Sequence, residues 1–221
     1  GCNLIDTSTN YMDGESEQVV GSVLQQLIRA GEVAREEIIV VSKIGYVQGQ
    51  NLAQAKTREK SGKPYPDMVK YGDDIWHCIH PEFLADQLTL SLDRLGLATL
   101  DVCLLHNPEY FLSHATRLGA GEQRDLSRLR DELYARMQLA FEYCERQVEA
   151  GRLRGYGVSS NTSTASPDES GATSLSRMIE AAKAAARKVG ASAHHFTVLQ
   201  CPMNLHESGA ALIKNTGPDN G

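Results

Sequence analysis

Polar side chains follow several short apolar runs of this chain, and four of them form a set that can transfer a proton. Asp6 follows the run at 4–5, Tyr11 comes five residues later, and Lys43 and His106 end two further apolar runs. Free tyrosine has a pKa of about 10, and a nearby lysine ammonium favours the phenolate. A carboxylate keeps that lysine charged, and an imidazole can bind a substrate oxygen. The set fits a general acid that protonates a carbonyl oxygen while hydride reaches the carbon.

Hydride transfer requires a carrier, which is normally a nicotinamide. The chain has no GxGxxG at a strand–helix turn, and its nearest match, Gly155-Tyr156-Gly157, falls inside a predicted strand. A Rossmann dinucleotide site is therefore not expected. Other polar residues at strand ends are suited to hold the carboxamide of a nicotinamide, namely Ser159, Ser160, Asn161 and Gln200.

Strand patterns and helix patterns alternate along the chain, which indicates a parallel α/β sheet. Continuous apolar runs predict buried strands, and apolar residues at 3.6-residue spacing predict helices. In α/β barrels the residues of the site stand at the C-terminal ends of the strands. The predicted strands are 4–5, 38–41, 100–105, 153–159 and 196–200, and the predicted helices are 15–30, 81–95, 124–150 and 175–189, with a short helix after Glu207.

Two stretches lack a clear period and predict loops. Residues 44–80 are rich in Gly, Lys, Gln, Pro and Asp, and we expect a long insertion there, with 56–80 forming a lid or substrate loop. A second loop is predicted to run to about Gln123. The cluster of His77, Cys78 and His80 has no second ligand pair, so we expect no metal site.

Composition excludes several classes of protein. The chain has 221 residues, 41% of them hydrophobic and 23% charged, with a net charge of −6. This balance is that of a soluble globular protein and argues against nucleic acid or an anionic membrane as a partner. No apolar run reaches the roughly 18 residues of a spanning helix. The odd, scattered cysteines favour a reducing, cytoplasmic location. The chain opens at a strand without a methionine, so an organellar leader stays an open alternative.

Six segments, in order, resemble motifs of the aldo-keto reductase superfamily. They read LIDTSTNY, GESEQVVGSVL, VVSKIGY, LDVCLLHNPE, GRLRGYGVSSN and VLQCPMN. The resemblance implies a (β/α)8 TIM barrel and NADPH-linked interconversion of carbonyl and alcohol, with NADH as the alternative cofactor. It also implies a catalytic tetrad of Asp6, Tyr11, Lys43 and His106, with Tyr11 as the acid. The implied substrate is a small aldehyde, ketone or sugar, and the oligomeric state is left open.

Three features depart from the family pattern. The segment between Lys43 and His106 is longer than usual. The family's Ser-Asn pair is replaced by Ser159-Ser160-Asn161, so either Ser160 or Asn161 could take the asparagine role. We also expect 1–221 to be one incomplete barrel with about five of the eight strands, the second to the sixth. A catalytically inactive relative that binds a nucleotide or a partner protein is the alternative function.

Overall fold

A computed structural model describes residues 2–118 and 125–214. Within them, five parallel strands form one sheet in chain order, β1-β2-β5-β6-β7. The helices between the strands connect parallel neighbours, which confirms the predicted α/β arrangement and matches part of a (β/α)8 barrel. The strands of this sheet are β1 (Leu4–Asp6), β2 (Ile39–Ile44), β5 (Leu100–His106), β6 (Leu153–Ser159) and β7 (Phe196–Gln200); a two-stranded sheet contains β3 (Tyr46–Val47) and β4 (Trp76–His77).

Seven α-helices accompany the strands within the described residues, and two single 3-10 turns lie at 11–14 and 35–37. The predicted starts and ends agree with the structure to within a few residues, although the predicted start of the long helix at Arg124 lies outside the described residues. None of these helices is both long and apolar enough to cross a membrane. They are α1 (Glu15–Arg29), α2 (Gly49–Lys60), α3 (Pro81–Leu95), α4 (Tyr110–Leu118), α5 (Leu126–Glu149), α6 (Leu175–Val189) and α7 (Gly209–Leu212).

The core lies between the sheet and its helices. The leucine stripe of α3 is buried as its spacing predicts, and burying each such side chain contributes about 1.5–3 kcal/mol. Strand β5 is buried along its whole length because strands pair with it on both sides. Strand β1 differs, since Leu4 is 49% exposed, and the prediction of a buried strand end there is wrong for this residue. The reason is that β1 pairs on one side only, with β2.

The segment 44–80 is not the plain loop that the sequence predicted. Strands β3 and β4 pair antiparallel there, with Tyr46 opposite His77, and α2 lies between them. Helix α2 was not predicted because Leu52 and Ala55 are its only buried apolar residues, so its sequence shows no apolar stripe. The strands have two residues each, which is too short for a period. The second predicted loop also contains α4, and its predicted end at Gln123 lies outside the described residues.

Candidate active site

Lys43 is the centre of a hydrogen-bonded cluster at the C-terminal edge of the sheet. Its side chain comes from β2, is 2% exposed, and ends beside the last residue of β1. Its Nζ lies 2.7 Å from Asp6 Oδ2, 3.1 Å from Tyr11 Oη and 3.1 Å from the Thr7 carbonyl oxygen. The ammonium thus donates to a carboxylate, a phenol and a carbonyl, which uses all three of its hydrogens.

Tyr11 reaches Lys43 from a turn with unusual backbone geometry. Met12 and Asp13 have φ of 48° and 56°, and Gly14 has φ of 94°. Positive φ at non-glycine residues is uncommon and persists where surrounding contacts hold it. The Asp13 carboxylate provides such a contact, because it accepts a hydrogen bond from the Gln50 backbone at the start of α2, with an N–O distance of 3.1 Å. Helix α2 therefore helps to fix the position of Tyr11.

His106 ends β5 and lies beside Tyr11, with 6.1 Å between ring centres. Its Nδ1 is 3.2 Å from Ser8 Oγ, and the residue as a whole is 7% exposed. Burial is the main cause that lowers the pKa of His106 to about 3, followed by the Lys43 ammonium and His77. The imidazole is therefore neutral near pH 7 and can donate one hydrogen bond and accept another.

Strand β4 supplies a buried support for His106. The Nε2 atom of His77 is 2.7 Å from the His106 carbonyl oxygen, and burial lowers the pKa of His77 to about 4. Tyr46 packs edge-on against His106, with ring centres 4.6 Å apart, and its hydroxyl accepts from Asn107 Nδ2 at 2.7 Å. Sequence reasoning missed these contacts. Their only signal was that Tyr46 follows Lys43 by three residues, whereas His77 lies far from every predicted site residue along the chain.

The other members of the His77 cluster have separate structural contacts. His80 is the N-cap of α3 and its Nδ1 accepts from the Glu82 backbone, at 3.3 Å. The thiol of buried Cys78 donates to the Pro66 carbonyl oxygen, at 3.5 Å. Each of the three residues thus has a role in the packing of this segment.

The predicted cofactor residues lie beside the cluster, but they are not equivalent. Ser159 Oγ donates to Gln200 Oε1 at 2.9 Å, and Gln200 Nε2 is 3.4 Å from Asp6 Oδ2, so these two join the Lys43 cluster. Ser160 is 1% exposed and its Oγ pairs with Thr173 Oγ1 at 3.0 Å. The side chain of Asn161, in contrast, is exposed.

These residues line a cleft of about 430 Å3 at the edge of the sheet. Four strands each contribute one lining residue that the sequence predicted for catalysis or cofactor binding. The loop after β6 and the start of the segment after β7 complete the lining. The lining residues are Asp6, Tyr11, His106, Asn107, Ser159, Ser160, Asn161, Gln200, Cys201 and Pro202. Lys43 lies beneath this surface and contacts it through Asp6 and Tyr11.

Glu109 is a buried carboxylate next to this cleft that the sequence did not single out. It is 4% exposed, and its Oε1 accepts from the Asn161 backbone N–H at 2.8 Å. Burial raises the pKa of the Glu109 carboxyl above its ordinary value, against hydrogen bonds that lower it. The contact ties the residues after β5 to the loop after β6. Its signal in the sequence was weak, because a lone glutamate after a proline is common in surface turns.

Comparison with known proteins agrees with the motifs. The model of the family described as "Aldo/keto reductase family" matches residues 1–173. The NADH-specific methylglyoxal reductase of Escherichia coli (strain K12) is 32% identical over 107 residues, which cover 48% of this chain and 27% of that protein. The matched segment thus covers about a quarter of the length of this relative.

Two solved structures resemble this one over most of its length. An aldo-keto reductase of the silkworm, Bombyx mori, is 20% identical with a TM-score of 0.48, over 92% of this chain and 42% of that one. The holo form of an aldo-keto reductase from Bacillus halodurans is 21% identical with a TM-score of 0.45, over 74% of this chain and 38% of that one. The family match extends over far more than half of the chain, and the resemblance of its motifs is confirmed: this protein belongs to the aldo/keto reductase family.

Proposed function

We propose that the protein is an NAD(P)H-dependent oxidoreductase that interconverts a small carbonyl compound and its alcohol. The observation that carries this proposal is the cluster around Lys43, whose ammonium contacts the Tyr11 hydroxyl and the Asp6 carboxylate at the wall of an open cleft. Family membership supports the reaction type. The name of the bacterial relative makes NADH a candidate cofactor beside the NADPH that the motifs imply.

Tyr11 is the proposed general acid. When a carbonyl oxygen in the cleft gains negative charge, the Tyr11 hydroxyl donates its proton to that oxygen. The adjacent Lys43 ammonium stabilises the phenolate that this leaves, and Asp6 holds the ammonium in place. A neutral His106 supplies a second hydrogen bond to the substrate oxygen. Donation by His106 requires the ring hydrogen on Nε2. The Ser8 hydroxyl, which lies 2.6 Å from Asn10 Oδ1, must then turn its single hydrogen to Nδ1.

The cleft also offers groups that fit a nicotinamide carboxamide. A carboxamide presents one acceptor oxygen and two donor hydrogens, and the hydroxyl of Ser159 and the amides of Gln200 and Asn161 can match both. Ser160 fits less well, because its hydroxyl is buried and paired with Thr173. We therefore assign the asparagine role of the family pair to Asn161. A bound nicotinamide supplies the hydride for this reaction.

The test is a reductase assay with a matched control. NADPH and NADH oxidation is followed with a panel of aldehydes, ketones and sugars for the protein, for Tyr11→Phe and for Tyr143→Phe. Tyr143 lies on α5, and its hydroxyl has no hydrogen-bond partner among the described residues. We expect Tyr11→Phe to lose a factor of about 100 or more, as for removal of a general acid, and Tyr143→Phe to retain activity.

Equal rates for the protein and Tyr11→Phe would refute the proposed mechanism. Quenching of nicotinamide fluorescence is measured in parallel, so that cofactor binding and turnover are recorded separately. Cofactor binding without turnover of any carbonyl would favour the alternative of a nucleotide-binding relative without catalysis.

A further inference from the structure

A second cavity, of about 630 Å3, lies beside the segment 44–80. Residues of α2, of the stretch before β4, of β4 itself and of α4 line it. It shares no lining residue with the cleft at Tyr11. The lining residues are Lys56, Lys70, Tyr71, Gly72, Asp73, Trp76 and Arg117.

Three cations surround two aromatic rings in this cavity. Lys70 Nζ is 4.6 Å from the centre of the Trp76 ring, and Lys56 Nζ is 5.8 Å from it. The Arg117 guanidinium lies 4.4 Å from the centre of the Tyr71 ring and donates to the Tyr71 carbonyl oxygen. Ring faces hold cations at such distances without neutralising them, so the charges stay available to a ligand.

Few carboxylates balance these charges. Asp73 is the acidic member of the lining, and Glu59 pairs with Lys70 at 2.6 Å. Lys56 and Arg117 form no ion pair within residues 2–118 and 125–214. Besides its position over the Trp76 ring, Lys56 donates to the Asp73 carbonyl oxygen, at 3.4 Å. The cavity therefore carries an excess of positive charge in a protein whose net charge is −6.

A row of aromatic rings leads from this cavity to the proposed active site. Tyr71 lies 4.7 Å from Tyr110, Tyr110 lies 5.2 Å from Tyr46, and Tyr46 lies 4.6 Å from His106, measured between ring centres. Tyr46 begins β3, two residues after β2, and Tyr110 begins α4, four residues after β5, so the row runs along the same edge of the sheet as the cleft. A ligand lying along these rings would have one end at His106 and the other among the cations.

We propose that this cavity binds the phosphomonoester group of an extended carbonyl substrate, which rests on the reductase function proposed above. Near pH 7 a phosphate monoester carries a charge of about −1.5 to −2 and three acceptor oxygens. The guanidinium of Arg117 and the ammonium groups of Lys56 and Lys70 present donors to such a group from separate elements. A single carboxylate would neutralise fewer of these charges. The substrate class is therefore a phosphorylated aldehyde, ketone or sugar.

Binding can be tested without turnover, because Trp76 is the only tryptophan of the chain and lies in the cavity. Inorganic phosphate is titrated against chloride at matched ionic strength while Trp76 emission is recorded. We expect a saturable change with phosphate alone. The variants Lys56→Gln and Arg117→Gln should each weaken it by about tenfold, as for loss of a charge-assisted hydrogen bond.

Two further variants serve as controls in this titration. Asp73→Asn removes the opposing carboxylate and should tighten phosphate binding. Lys183→Gln, on the exposed side of α6, should leave it unchanged. An absence of a saturable change, or an equal effect of Lys183→Gln and Arg117→Gln, would overturn the proposed site.

Steady-state kinetics test the substrate assignment separately. We expect kcat/KM for glucose 6-phosphate to exceed that for glucose, and Arg117→Gln to remove this preference mainly through KM. The rate with uncharged glyceraldehyde is measured for both proteins, and the preference for the phosphorylated sugar is expressed relative to it. Reduction without any preference for the phosphorylated sugar would overturn the substrate class. Phosphate binding without reduction of any carbonyl would instead overturn the proposed reductase function and the substrate assignment while leaving the anion site in place.

Discussion

Lys43→Met is the substitution that tests the proposed mechanism most directly. It keeps the length and most of the apolar stem of the side chain and removes the ammonium that contacts Tyr11 and Asp6. The loss leaves the Asp6 carboxylate without its partner. Because the Asp6 side chain is 34% exposed, water can solvate it, and the variant avoids the large penalty of a buried unpaired charge. We therefore expect the variant to fold.

The size of the effect follows from the distance between the Lys43 nitrogen and the Tyr11 oxygen. Unit charges 3.1 Å apart interact with about 5 kcal/mol at an effective dielectric constant of ~20. Tyr11 is 39% exposed, and water on that side weakens the interaction to about 2–3 kcal/mol. This free energy corresponds to a loss of about 30- to 150-fold in kcat/KM, since the ammonium stabilises the phenolate formed in the transition state.

The assay is a double-mutant cycle with Tyr11→Phe, measured as kcat/KM for one carbonyl substrate. If Lys43 acts through the Tyr11 hydroxyl, adding Lys43→Met to Tyr11→Phe should cost less than about threefold more. Cofactor affinity from fluorescence quenching and the thermal melt should stay close to those of the unmodified protein. A Lys43→Met variant with a third or more of the original activity would refute the reasoning. So would a double variant that shows the full additional loss.

Three other changes test the surroundings of the site. We expect Ser8→Ala to lower kcat by about tenfold at constant cofactor affinity, because His106 loses the partner of Nδ1; a change confined to cofactor affinity would contradict this. Burial lowers the pKa of His77 to about 4, so below about pH 6.5 the unfolded chain binds more protons than the folded chain. Because of His77, the free energy of unfolding should therefore fall by about 1.4 kcal/mol per pH unit from pH 6.5 towards pH 4. The free energy of unfolding, measured with denaturant at several pH values, should depend on pH less steeply by that amount in His77→Gln. An equal pH dependence in the two proteins would show that His77 is protonated in the folded protein. Gly157→Ala places a Cβ against the Val198 carbonyl oxygen, at the point where the register of β6 and β7 shifts. It should lower the free energy of unfolding by about 2–3 kcal/mol. Gly171→Ala, where the added Cβ has room, should leave it nearly unchanged.

The strands and the catalytic candidates could be predicted for one physical reason. In a parallel α/β sheet, consecutive strands lie side by side and their C-terminal ends share an edge. A polar residue at the C-terminal end of one strand is therefore expected to lie near the polar residues that end the neighbouring strands, even without knowledge of side-chain contacts. Asp6, Lys43 and His106 satisfied this condition, and the structure brings Lys43 to within hydrogen-bonding distance of both Asp6 and Tyr11.

The supporting contacts could not be predicted, because they join residues that are far apart along the chain. Tyr46 and His77, which pair in the two-stranded sheet, are separated by 30 residues along the chain. This pairing places β4 where His77 contacts the backbone of His106. Two-residue strands carry no period that would reveal this pairing. The bond from the Asn161 backbone to Glu109 likewise joins two loops whose sequences are simply polar. The Ser160 hydroxyl is buried against Thr173 of a third loop segment, and this burial is the reason for proposing Asn161 as the cofactor-binding residue of the pair.

The two parts of the proposed site differ in how they are fixed, and this difference has a functional consequence. The proposed proton-transfer cluster takes Asp6, Lys43 and His106 from strands of the main sheet. The register of these strands cannot shift without exposing the buried faces of β2 and β5. The cavity proposed to bind phosphate is lined from α2, β4 and α4. Helix α2 and strand β4 also support Tyr11 and His106, through the contacts of Asp13 and His77, but Lys56 and Arg117 make neither of these contacts. We therefore expect substitutions at Lys56 or Arg117 to alter which carbonyl compound binds while Lys43, Tyr11 and His106 keep their geometry. In this proposal the sequence predicts the catalytic groups because the C-terminal ends of parallel strands share one edge of the sheet. Substrate selectivity, in contrast, depends largely on the segment 44–80, whose polar sequence has no period that would predict its structure.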